Sequence, residues 1–425
     1  MAIRILILLL LVSFNFSMPA TAEVQLKAAF IRDHQLWMKE GIKETQLTTD
    51  RYVSTPKWSK DGQFIAYLAG EKNDDNTYLY IYDLKKKENY QPYPSIETRE
   101  YKWSPISNQL AYTSRGVLNV TKTKNGRPQG FENVALGVSD FEWFPNGKEF
   151  IVSSQSNLLP TGWEPVQLFK VPVDANLNTN KIKPFYTIQT NMADLFAIDA
   201  EYFKWSADGK WVSFLATPTA SWSNDSNTLS VLSSVGDQFQ VIGKMLWFEK
   251  WIKWAPRKNQ LAFISGEGRF QVENKNTAVA NIPSIQNRKE YTPKGYVDLD
   301  LEWLSPDEII VARAKENKEW KLGPVPTMFT TLYIINIKSR EQTQLTFPKK
   351  NELDHTPQVV GSTITWYREA ESEVQGDVWV KEGMNDQEHQ WLKNVDSPPT
   401  FYNEKTDTTR TEKNVVGYQY KTSLN

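Results

Sequence analysis

The stretch Phe203-Lys204-Trp205-Ser206-Ala207-Asp208-Gly209 decides the fold, because variants of it recur along the whole chain. In each copy a short segment ends in tryptophan, and most copies continue into a turn related to Ser-x-Asp-Gly. In such turns Asp or Asn bonds the local backbone, Pro presets φ, and Gly accepts positive φ. The remaining copies are centred on Trp58, Trp103, Trp143, Trp254 and Trp303.

The spacing of these copies is that of a four-stranded repeat. Successive tryptophans are 45, 40, 62, 49 and 49 residues apart, close to the roughly 40–50 residues of a propeller blade. An apolar run follows the turn, as at Phe64-Ile65-Ala66-Tyr67, and an alternating run follows that, as at Tyr78-Leu79-Tyr80-Ile81-Tyr82. Such runs bounded by turns predict strands. We therefore predict an all-β fold, a β-propeller of four-stranded antiparallel blades.

Two further units lie at the ends of the repeat array. Residues 28–48 supply three strands and lack an inner one, whereas residues 357–392 form a full unit with Val359 in the tryptophan position. The segment Asn414–Tyr420 in the C-terminal tail can provide the missing inner strand, which would close the ring and remove its exposed edges. This favours eight blades. Seven or six blades are the alternatives if the tail stays free or an end unit packs outside the ring.

The first 22 residues have the pattern of an export signal. Arg4 precedes the apolar run Ile5–Val12, and Pro19-Ala20-Thr21-Ala22 offers small residues for cleavage. We expect cleavage after Ala22 and a secreted, extracytoplasmic chain in which residues 23–425 form one propeller domain, with 395–425 as a tail. The alternative is a membrane anchor, but the run is short for a span of roughly 20 residues. No later run approaches a membrane span.

The composition excludes several classes of protein. Lys and Arg number 49 against 50 Asp and Glu, and this balance argues against a nucleic-acid binder. The absence of cysteine excludes thiol catalysis and cysteine-ligated zinc. Three histidines, His34, His355 and His389, are too few for a histidine-rich metal site, so no metal or cofactor is expected. The chain has no Gly-x-Ser-x-Gly motif, and the 31 residues after the last blade are too few for a hydrolase domain.

The Trp-Ser-x-Asp-Gly turns at Trp58–Gly62 and Trp205–Gly209, each followed by an apolar strand, resemble the WD-like repeats of the TolB-type β-propeller superfamily. The resemblance covers roughly residues 26 to 394. It implies a propeller but no single activity, since related propellers include envelope scaffold proteins, propeller domains of serine peptidases and some sugar-acid lyases. The N-terminal α/β domain of TolB has no counterpart between Ala22 and Lys27.

The mouth of the central channel is the candidate binding site. Propeller ligands usually bind where the innermost strands begin, and these positions lie three or four residues before each tryptophan. Acids outnumber bases there, so the mouth could bind a cation or an amine, or shift a pKa for acid–base catalysis. The predicted ligand-binding residues are Arg99, Glu100, Asp140, Glu201, Lys250, Asp300 and His355.

Two insertions add candidate contacts. One runs from Ser154 to Tyr202 and contains Trp163, and the other, Lys315–Met328, contains Trp320. Long loops on a rigid scaffold often carry binding residues. Each tryptophan could stack on a sugar or anchor a partner protein. The alternative is that both indoles pack down onto the propeller.

Two functions fit these features. The favoured hypothesis is an exported, monomeric, non-enzymatic propeller that binds a protein, peptide or envelope polymer at the channel mouth and the long loops. It rests on the lack of a recognisable nucleophile or metal constellation. The alternative is a lyase or hydrolase that degrades a glycan or peptide. Its acid–base candidates are Asp140, Glu201 and Asp300.

Overall fold

The structure is a computed structural model, and it describes residues 26–72, 76–189, 195–285, 288–371, 373–397 and 415–420. The proposed export signal and most of the C-terminal tail lie outside these ranges. Within them the chain forms eight four-stranded antiparallel sheets, the blades of a β-propeller. The predicted fold class and the favoured blade count are therefore confirmed.

The first four blades follow one another along the chain. Blade 1 is β3-β2-β1-β34, blade 2 is β4–β7, blade 3 is β8–β11, and blade 4 is β12-β13-β16-β17. Their strands are β1 (Leu26–Arg32), β2 (Gln35–Glu40), β3 (Lys43–Gln46), β4 (Tyr52–Trp58), β5 (Phe64–Gly70), β6 (Tyr78–Asp83), β7 (Glu88–Tyr90), β8 (Tyr101–Trp103), β9 (Leu110–Ser114), β10 (Val117–Lys124), β11 (Arg127–Leu136), β12 (Asp140–Trp143), β13 (Glu149–Ser153), β14 (Leu158–Leu159), β15 (Gly162–Trp163), β16 (Val166–Pro172), β17 (Lys183–Ile188) and β34 (Val416–Tyr420).

The last four blades repeat the same order, with the first strand of each innermost. Blade 5 is β18–β21, blade 6 is β22–β25, blade 7 is β26–β29 and blade 8 is β30–β33. Their strands are β18 (Asp199–Trp205), β19 (Trp211–Thr217), β20 (Asn227–Ser233), β21 (Phe239–Met245), β22 (Ile252–Trp254), β23 (Gln260–Ser265), β24 (Asn276–Asn281), β25 (Lys289–Glu290), β26 (Tyr296–Ser305), β27 (Glu308–Lys315), β28 (Thr331–Asn336), β29 (Gln342–Gln344), β30 (Glu352–Val360), β31 (Thr363–Ala370), β32 (Gln375–Lys381) and β33 (His389–Asp396).

The described chain contains only short helical pieces. The fully described ones are an α-helical turn, Ala220–Ser223, and two 3-10 turns, Thr179–Lys181 and Glu249–Trp251. No helix among the described residues is long and apolar enough to cross a membrane.

Blade 1 joins both ends of the described chain. Its inner strand is β34, which pairs antiparallel with β1 from Leu26 opposite Tyr420 to Phe30 opposite Val416. The indole of Trp58 in blade 2 donates to the carbonyl of Gly417 at 3.0 Å. β34 therefore occupies the place that the first strand holds in the other blades, and no sheet edge is left open to the channel.

The repeated tryptophans form a hydrogen-bonded ladder around the ring. Five of the six indole N–H groups reach back to the preceding blade: Trp58 donates to the Gly417 carbonyl, and the other four donate to the carbonyl of the residue just before the preceding tryptophan. The sixth, that of Trp205, is buried without a hydrogen-bond partner among the described residues. Trp103 donates to the Lys57 carbonyl at 3.0 Å, and Trp303 donates to the Lys253 carbonyl at 2.9 Å. Trp143 and Trp254 repeat this contact with the carbonyls of Lys102 and Lys204. These residues are structural, since their indoles join neighbouring blades by packing and, in all but Trp205, by a hydrogen bond.

The Ser-x-Asp-Gly turn folds as its residue types require. The Ser206 hydroxyl donates to the Asp208 carboxylate at 2.8 Å and accepts from the backbone N–H of Trp211 at 3.0 Å. Gly209 has a φ of 69°, in the left-handed region that glycine tolerates best. The same bonds recur at Ser59 and Asp61 in blade 2. The turn lies at the end of the blade opposite the channel mouth, so it shapes the scaffold and not the site.

Candidate functional site

The channel mouth lies on the face where the inner strands begin and where the longest loops meet. Inner strands run away from this face, so the connection between second and third strands returns to it in every blade. The lengthened connections are residues 154–165, 218–226, 266–275 and 316–330. The mouth is therefore a rigid ring of strand ends surrounded by four loops, an arrangement in which function is often found.

Inner-strand bulges shape the mouth in blades 2, 5 and 8. At each bulge the strand pairing shifts register, and one residue takes a positive φ. The three residues are Thr55 at 51°, Tyr202 at 60° and Thr356 at 51°. β-branched residues rarely adopt this conformation, which costs on the order of 1–3 kcal/mol. Bulges of this kind re-aim side chains next to sites.

Two predicted acids support these bulges. Asp140 accepts from the backbone N–H of Tyr202 at 2.7 Å, and Asp300 accepts from the N–H of Thr356 at 3.1 Å. Both carboxylates are buried. Because their oxygens hold the backbone of the next blade, Asp140 and Asp300 act first as inter-blade caps. Their role in ligand binding remains a prediction.

Lys102 compensates the charge around Asp140. Its ammonium lies 2.9 Å from Glu100, 3.5 Å from Asp140 and 3.4 Å from Glu142. Burial raises the pKa of Asp140, Lys102 lowers it, and the Glu100 and Glu201 carboxylates raise it again, with a net rise. Burial likewise raises the pKa of Glu142 despite Lys102. Burial lowers the pKa of Lys102, but four nearby carboxylates outweigh it and the net pKa is raised, so the lysine stays charged at neutral pH.

Three other predicted mouth residues have separate surroundings. Glu201 accepts from the indole N–H of Trp247 at 2.6 Å and from the Thr217 hydroxyl at 3.2 Å. The Lys250 ammonium lies 3.1 Å from Asp300. Arg99 is exposed at the rim. The structure thus brings the predicted residues to one face but divides them into a cluster around Asp140 and a second around Asp300.

The tryptophans of the two insertions differ in their contacts. The Trp320 indole donates to the Pro324 carbonyl at 3.0 Å and packs edge-on against Phe270 at 4.6 Å between ring centroids. Trp320 therefore packs against the protein, as in the alternative for these indoles, and its role in ligand binding stays a prediction. Trp163 is half-buried on the β14–β15 hairpin, where it pairs with Leu158.

The predicted residue His355 belongs to a hydroxyl–imidazole–carboxylate relay in blade 8. Its Nδ1 lies 2.7 Å from the Thr356 hydroxyl, and its Nε2 lies 3.3 Å from the Glu369 carboxylate. Nε2 makes no hydrogen bond within the described chain, so Glu369 acts on the ring through its nearby negative charge. With the proton on Nε2, Nδ1 can accept from the Thr356 hydroxyl. A nucleophile, a base and an acid that orients the base are the parts of a covalent hydrolase site.

The Glu369 carboxylate has one hydrogen-bonded oxygen and one oxygen that faces His355. The Ser397 hydroxyl donates to it at 2.7 Å, opposite the oxygen that faces His355. Burial raises the pKa of Glu369, but the charge of His355, the hydrogen bond from Ser397 and the charge of Lys250 outweigh burial, so the net pKa is lowered. Glu369 is therefore ionised at neutral pH and can stabilise a positive charge on His355.

Thr356 and Glu369 were not among the predicted site residues. Thr356 follows His355 in the chain and lies three positions before the tryptophan slot of blade 8, as Thr55 does in blade 2. Glu369 is two residues beyond Tyr367, the cross-strand partner of His355. Glu369 could be found by looking for acidic residues two positions from the cross-strand partner of each predicted mouth residue. That search requires the strand register to be known.

Lysines before the repeated tryptophans also escaped prediction. Their side chains reach forward to the next blade, where Lys57 donates to the Tyr101 carbonyl at 3.2 Å and Lys204 to the Ile252 carbonyl at 3.2 Å. Burial raises the pKa of Glu249, but Lys204, Lys102, Lys57 and Lys253 bring it down to about 2. The signal was the Lys-Trp pair repeated in four of the six copies.

Within the residues that the structure describes, no group of three or more His, Asp or Glu side chains could hold a metal ion.

Comparisons with known proteins identify the fold's relatives at the level of structure. No family model matches the chain, and no curated protein matches it. Solved structures do match. They include a puromycin hydrolase mutant complexed with PGG (13% identity, TM-score 0.52), puromycin hydrolase (12%, 0.51) and a puromycin-hydrolyzing peptidase of Mycobacterium tuberculosis (10%, 0.52).

These matches cover 83% of this chain and 55% of each hydrolase. The chain thus spans about half the length of the enzymes it resembles, and the likeness lies in their propeller domains. At such low identity the likeness demonstrates the fold. The comparison nevertheless corrects the favoured expectation of a non-enzymatic binder, because the matched propellers belong to enzymes that hydrolyse puromycin.

Proposed function

We propose that this chain is a peptide-degrading hydrolase whose chemistry takes place at the channel mouth. The observation that carries the proposal is the relay of Thr356, His355 and Glu369, with 2.7 Å and 3.3 Å between its members. The propeller's likeness to those of puromycin-hydrolysing enzymes supports peptides and peptide-like amides as substrates.

Each member of the relay has one role. His355 Nδ1 takes the proton of the Thr356 hydroxyl as Oγ1 attacks the substrate carbonyl, and Glu369 stabilises the imidazolium through Nε2. The imidazolium then returns the proton to the leaving amine, and the acyl group stays on Thr356 as an ester. Water, deprotonated by the same Nδ1, attacks that ester, releases the carboxylic acid and restores the hydroxyl.

The surroundings of the relay suit this sequence of steps. Asp300 holds the strained backbone of Thr356, and the Lys250 ammonium lies on the same carboxylate, 3.1 Å away. Lys250 also lowers the pKa of Glu369, which places its charge near the relay. A cation beside the mouth can stabilise the negative oxygen that develops in the tetrahedral intermediate.

The test uses the full chain and a panel of short peptide amides with a fluorescent leaving amine, together with puromycin. We expect Thr356→Ala and His355→Gln to lower turnover at least about 1,000-fold, and Thr356→Ser to retain part of it. Thr55→Ala is the matched control, because Thr55 occupies the same position of blade 2, has the same φ, and its buried hydroxyl lacks a partner. Acid quenching should trap an acyl ester on Thr356, detectable by mass spectrometry.

Two results would overturn this function. One is full activity in the Thr356→Ala variant, which would move the chemistry to another residue. The other is a folded wild-type chain that turns over none of the amides.

We also propose that the chain acts outside the cytoplasm and belongs with TolB-type propellers. The support for export is the signal-like pattern of residues 1–22, and the support for the relationship is the pair of Trp-Ser-x-Asp-Gly turns. N-terminal sequencing of protein recovered from its native host tests the first point. A mature terminus at Glu23 is expected, and a terminus at Met1 would contradict it.

A further inference from the structure

A cleft between blades 3 and 4 opens on the same face as the relay. Its volume is about 520 Å³. Two glycine turns, at Gly116 and Gly137, form one wall, and the insertion of blade 4 forms the other. A Cβ added at either glycine would meet no atom within 4 Å, so this wall is open to a ligand.

The polar groups of the cleft favour a positive charge. None of its lining residues is Lys, Arg or His, and one is the carboxylate Glu164. The Asn157 amide donates to one oxygen of Glu164 at 2.8 Å, which fixes this carboxylate at the rim. The Ser139 hydroxyl, also in the lining, gives its proton to Asp199, so its lone pairs are left to accept from a ligand.

Asp199 adds a second carboxylate behind Ser139. Burial raises its pKa to about 6, and hydrogen bonds from Ser139 and the Ala200 N–H offset only part of that rise. A cation in the cleft would favour the ionised form of Asp199 through the Ser139 hydroxyl. A carboxylate at the rim and another behind the wall, with no cation in the lining, attract positively charged ligands.

We propose that this cleft binds the ammonium or guanidinium group of a peptide substrate, an inference that rests on the peptide-degrading function. Blades 4 and 8 lie opposite each other in a ring of eight. A peptide anchored in the cleft would therefore extend across the mouth toward Thr356. The shared chemistry is a positive charge, supplied either by the free N-terminus or by a Lys or Arg side chain.

Binding is measured by calorimetry on the Thr356→Ala variant, which keeps the peptide intact. Four probes are used: a peptide whose only positive charge is its free N-terminus, the same peptide with an acetylated N-terminus, the acetylated peptide with one Lys, and a neutral oligosaccharide. We expect one or both charged peptides to bind at least 10-fold more tightly than the acetylated neutral peptide. The difference between the two charged peptides identifies the source of the charge.

Two cleft variants locate the site. Glu164→Gln should weaken binding of the charged peptide about 10-fold, and Ser139→Ala should weaken it by a smaller factor. Glu149→Gln, in the same blade at the opposite end of β13, is the matched control and should leave the affinity unchanged. In the otherwise wild-type enzyme, Glu164→Gln should raise KM for charged peptides and leave kcat unchanged.

The outcomes separate this inference from the proposed function. The cleft assignment is overturned if the uncharged acetylated peptide binds as tightly as the two charged peptides, or if the oligosaccharide binds preferentially. Turnover by Thr356 would still stand in either case. Charge-dependent binding that Glu164→Gln does not alter also overturns it. Binding that follows the expected pattern in a chain without turnover would instead retain the cleft and reject the hydrolase.

Discussion

Thr356 combines a reactive position with a strained backbone. Its φ of 51° lies in a region that a β-branched residue enters only when its surroundings compel it, and Asp300 bonds its N–H there. The same conformation at Thr55 and Tyr202 shows that the bulge belongs to the scaffold. In blade 8 that scaffold feature presents a hydroxyl to the ring of His355.

Removing the side chain at this bulge should separate strain from chemistry. Both Thr356→Gly and Thr356→Ala lose the hydroxyl, but alanine keeps a Cβ at positive φ. We expect the glycine variant to be more stable by about 1 kcal/mol, since glycine enters this region freely. Urea unfolding of the two variants measures the difference. Equal stability would mean that the backbone relaxes without Thr.

Asp199 should make stability depend on pH in an unusual direction. Its pKa rises from 3.8 to about 6 on folding, so between these values the folded state holds a proton that the unfolded state has lost. The raised pKa of Asp199 therefore stabilises the fold at low pH, and this stabilisation is lost as the pH rises toward 6. At 1.36 kcal/mol per pH unit, the loss in the free energy of unfolding is about 3 kcal/mol.

The variant Asp199→Asn cannot ionise and should escape this loss. We expect the free energy of unfolding of this variant, relative to that of the wild type, to be about 2–3 kcal/mol higher at pH 7.5 than at pH 4. Urea unfolding at both pH values measures the difference. Asp174→Asn, at a strongly exposed carboxylate, serves as the control. A gain that is the same at both pH values would contradict the raised pKa.

At the scale of elements, β34 shows how closely the closing strand fits. A Cβ on Gly417 would lie 2.5 Å from the backbone oxygen of Pro56, closer than real contacts allow, and that oxygen cannot move without moving the inner strand of blade 2. The carbonyl of Gly417 also accepts from Trp58. Glycine is required here by a close approach between two strands.

We expect Gly417→Ala to lower the melting temperature by several degrees, because it disturbs both the ring closure and the Trp58 hydrogen bond. The matched control is Gly383→Ala, whose added Cβ would meet only the Asp386 side chain at 2.8 Å. That carboxylate is at the end of a side chain and can turn away. Thermal unfolding by circular dichroism measures both variants, and equal melting temperatures would contradict the closing role of β34.

Across the whole molecule, the repeated sequence motifs predicted the blades, whereas contacts that depend on strand pairing could not be predicted from them. Trp205 and its turn predicted a blade because Ser206, Asp208 and Gly209 act locally, within a few residues of one another. The relay was harder to see, since Glu369 meets His355 only through the shifted register of β30 and β31. Such a register depends on a bulge that no residue type announces.

The channel mouth shows the same limit to prediction from the sequence. Counting back from each tryptophan correctly placed Asp140 and Asp300 on one face, but it could not show that both would be buried under the backbone of the next blade. Burial of a charged group depends on which partners surround it. Lys102 is the partner of Asp140, and it comes from a different blade.

Lys102 is the central charge on its side of the channel, and its removal should lower the stability of the whole propeller. Lys102→Met leaves Asp140 and Glu142 buried without a compensating cation, which typically costs about 3–5 kcal/mol. We expect a loss of about 3 kcal/mol at pH 7.5 and a smaller one at pH 5, where these carboxyls take up protons.

Chemical unfolding at the two pH values measures this effect. Lys86→Met is the control, because Lys86 is exposed on blade 2 and its closest carboxylate, Glu88, is 4.0 Å away. A loss that does not change with pH would show that Lys102 acts through packing of its aliphatic stem.

The pairing of β1 with β34 also has a consequence for the order of events during synthesis. Residues near position 30 leave the ribosome early, yet their partners near position 416 emerge almost 390 residues later. At about 5–20 residues per second, the free edge of β1 must wait tens of seconds for its neighbour. During that interval the nascent chain carries an unpaired edge suited to capture by a chaperone or by another copy of itself.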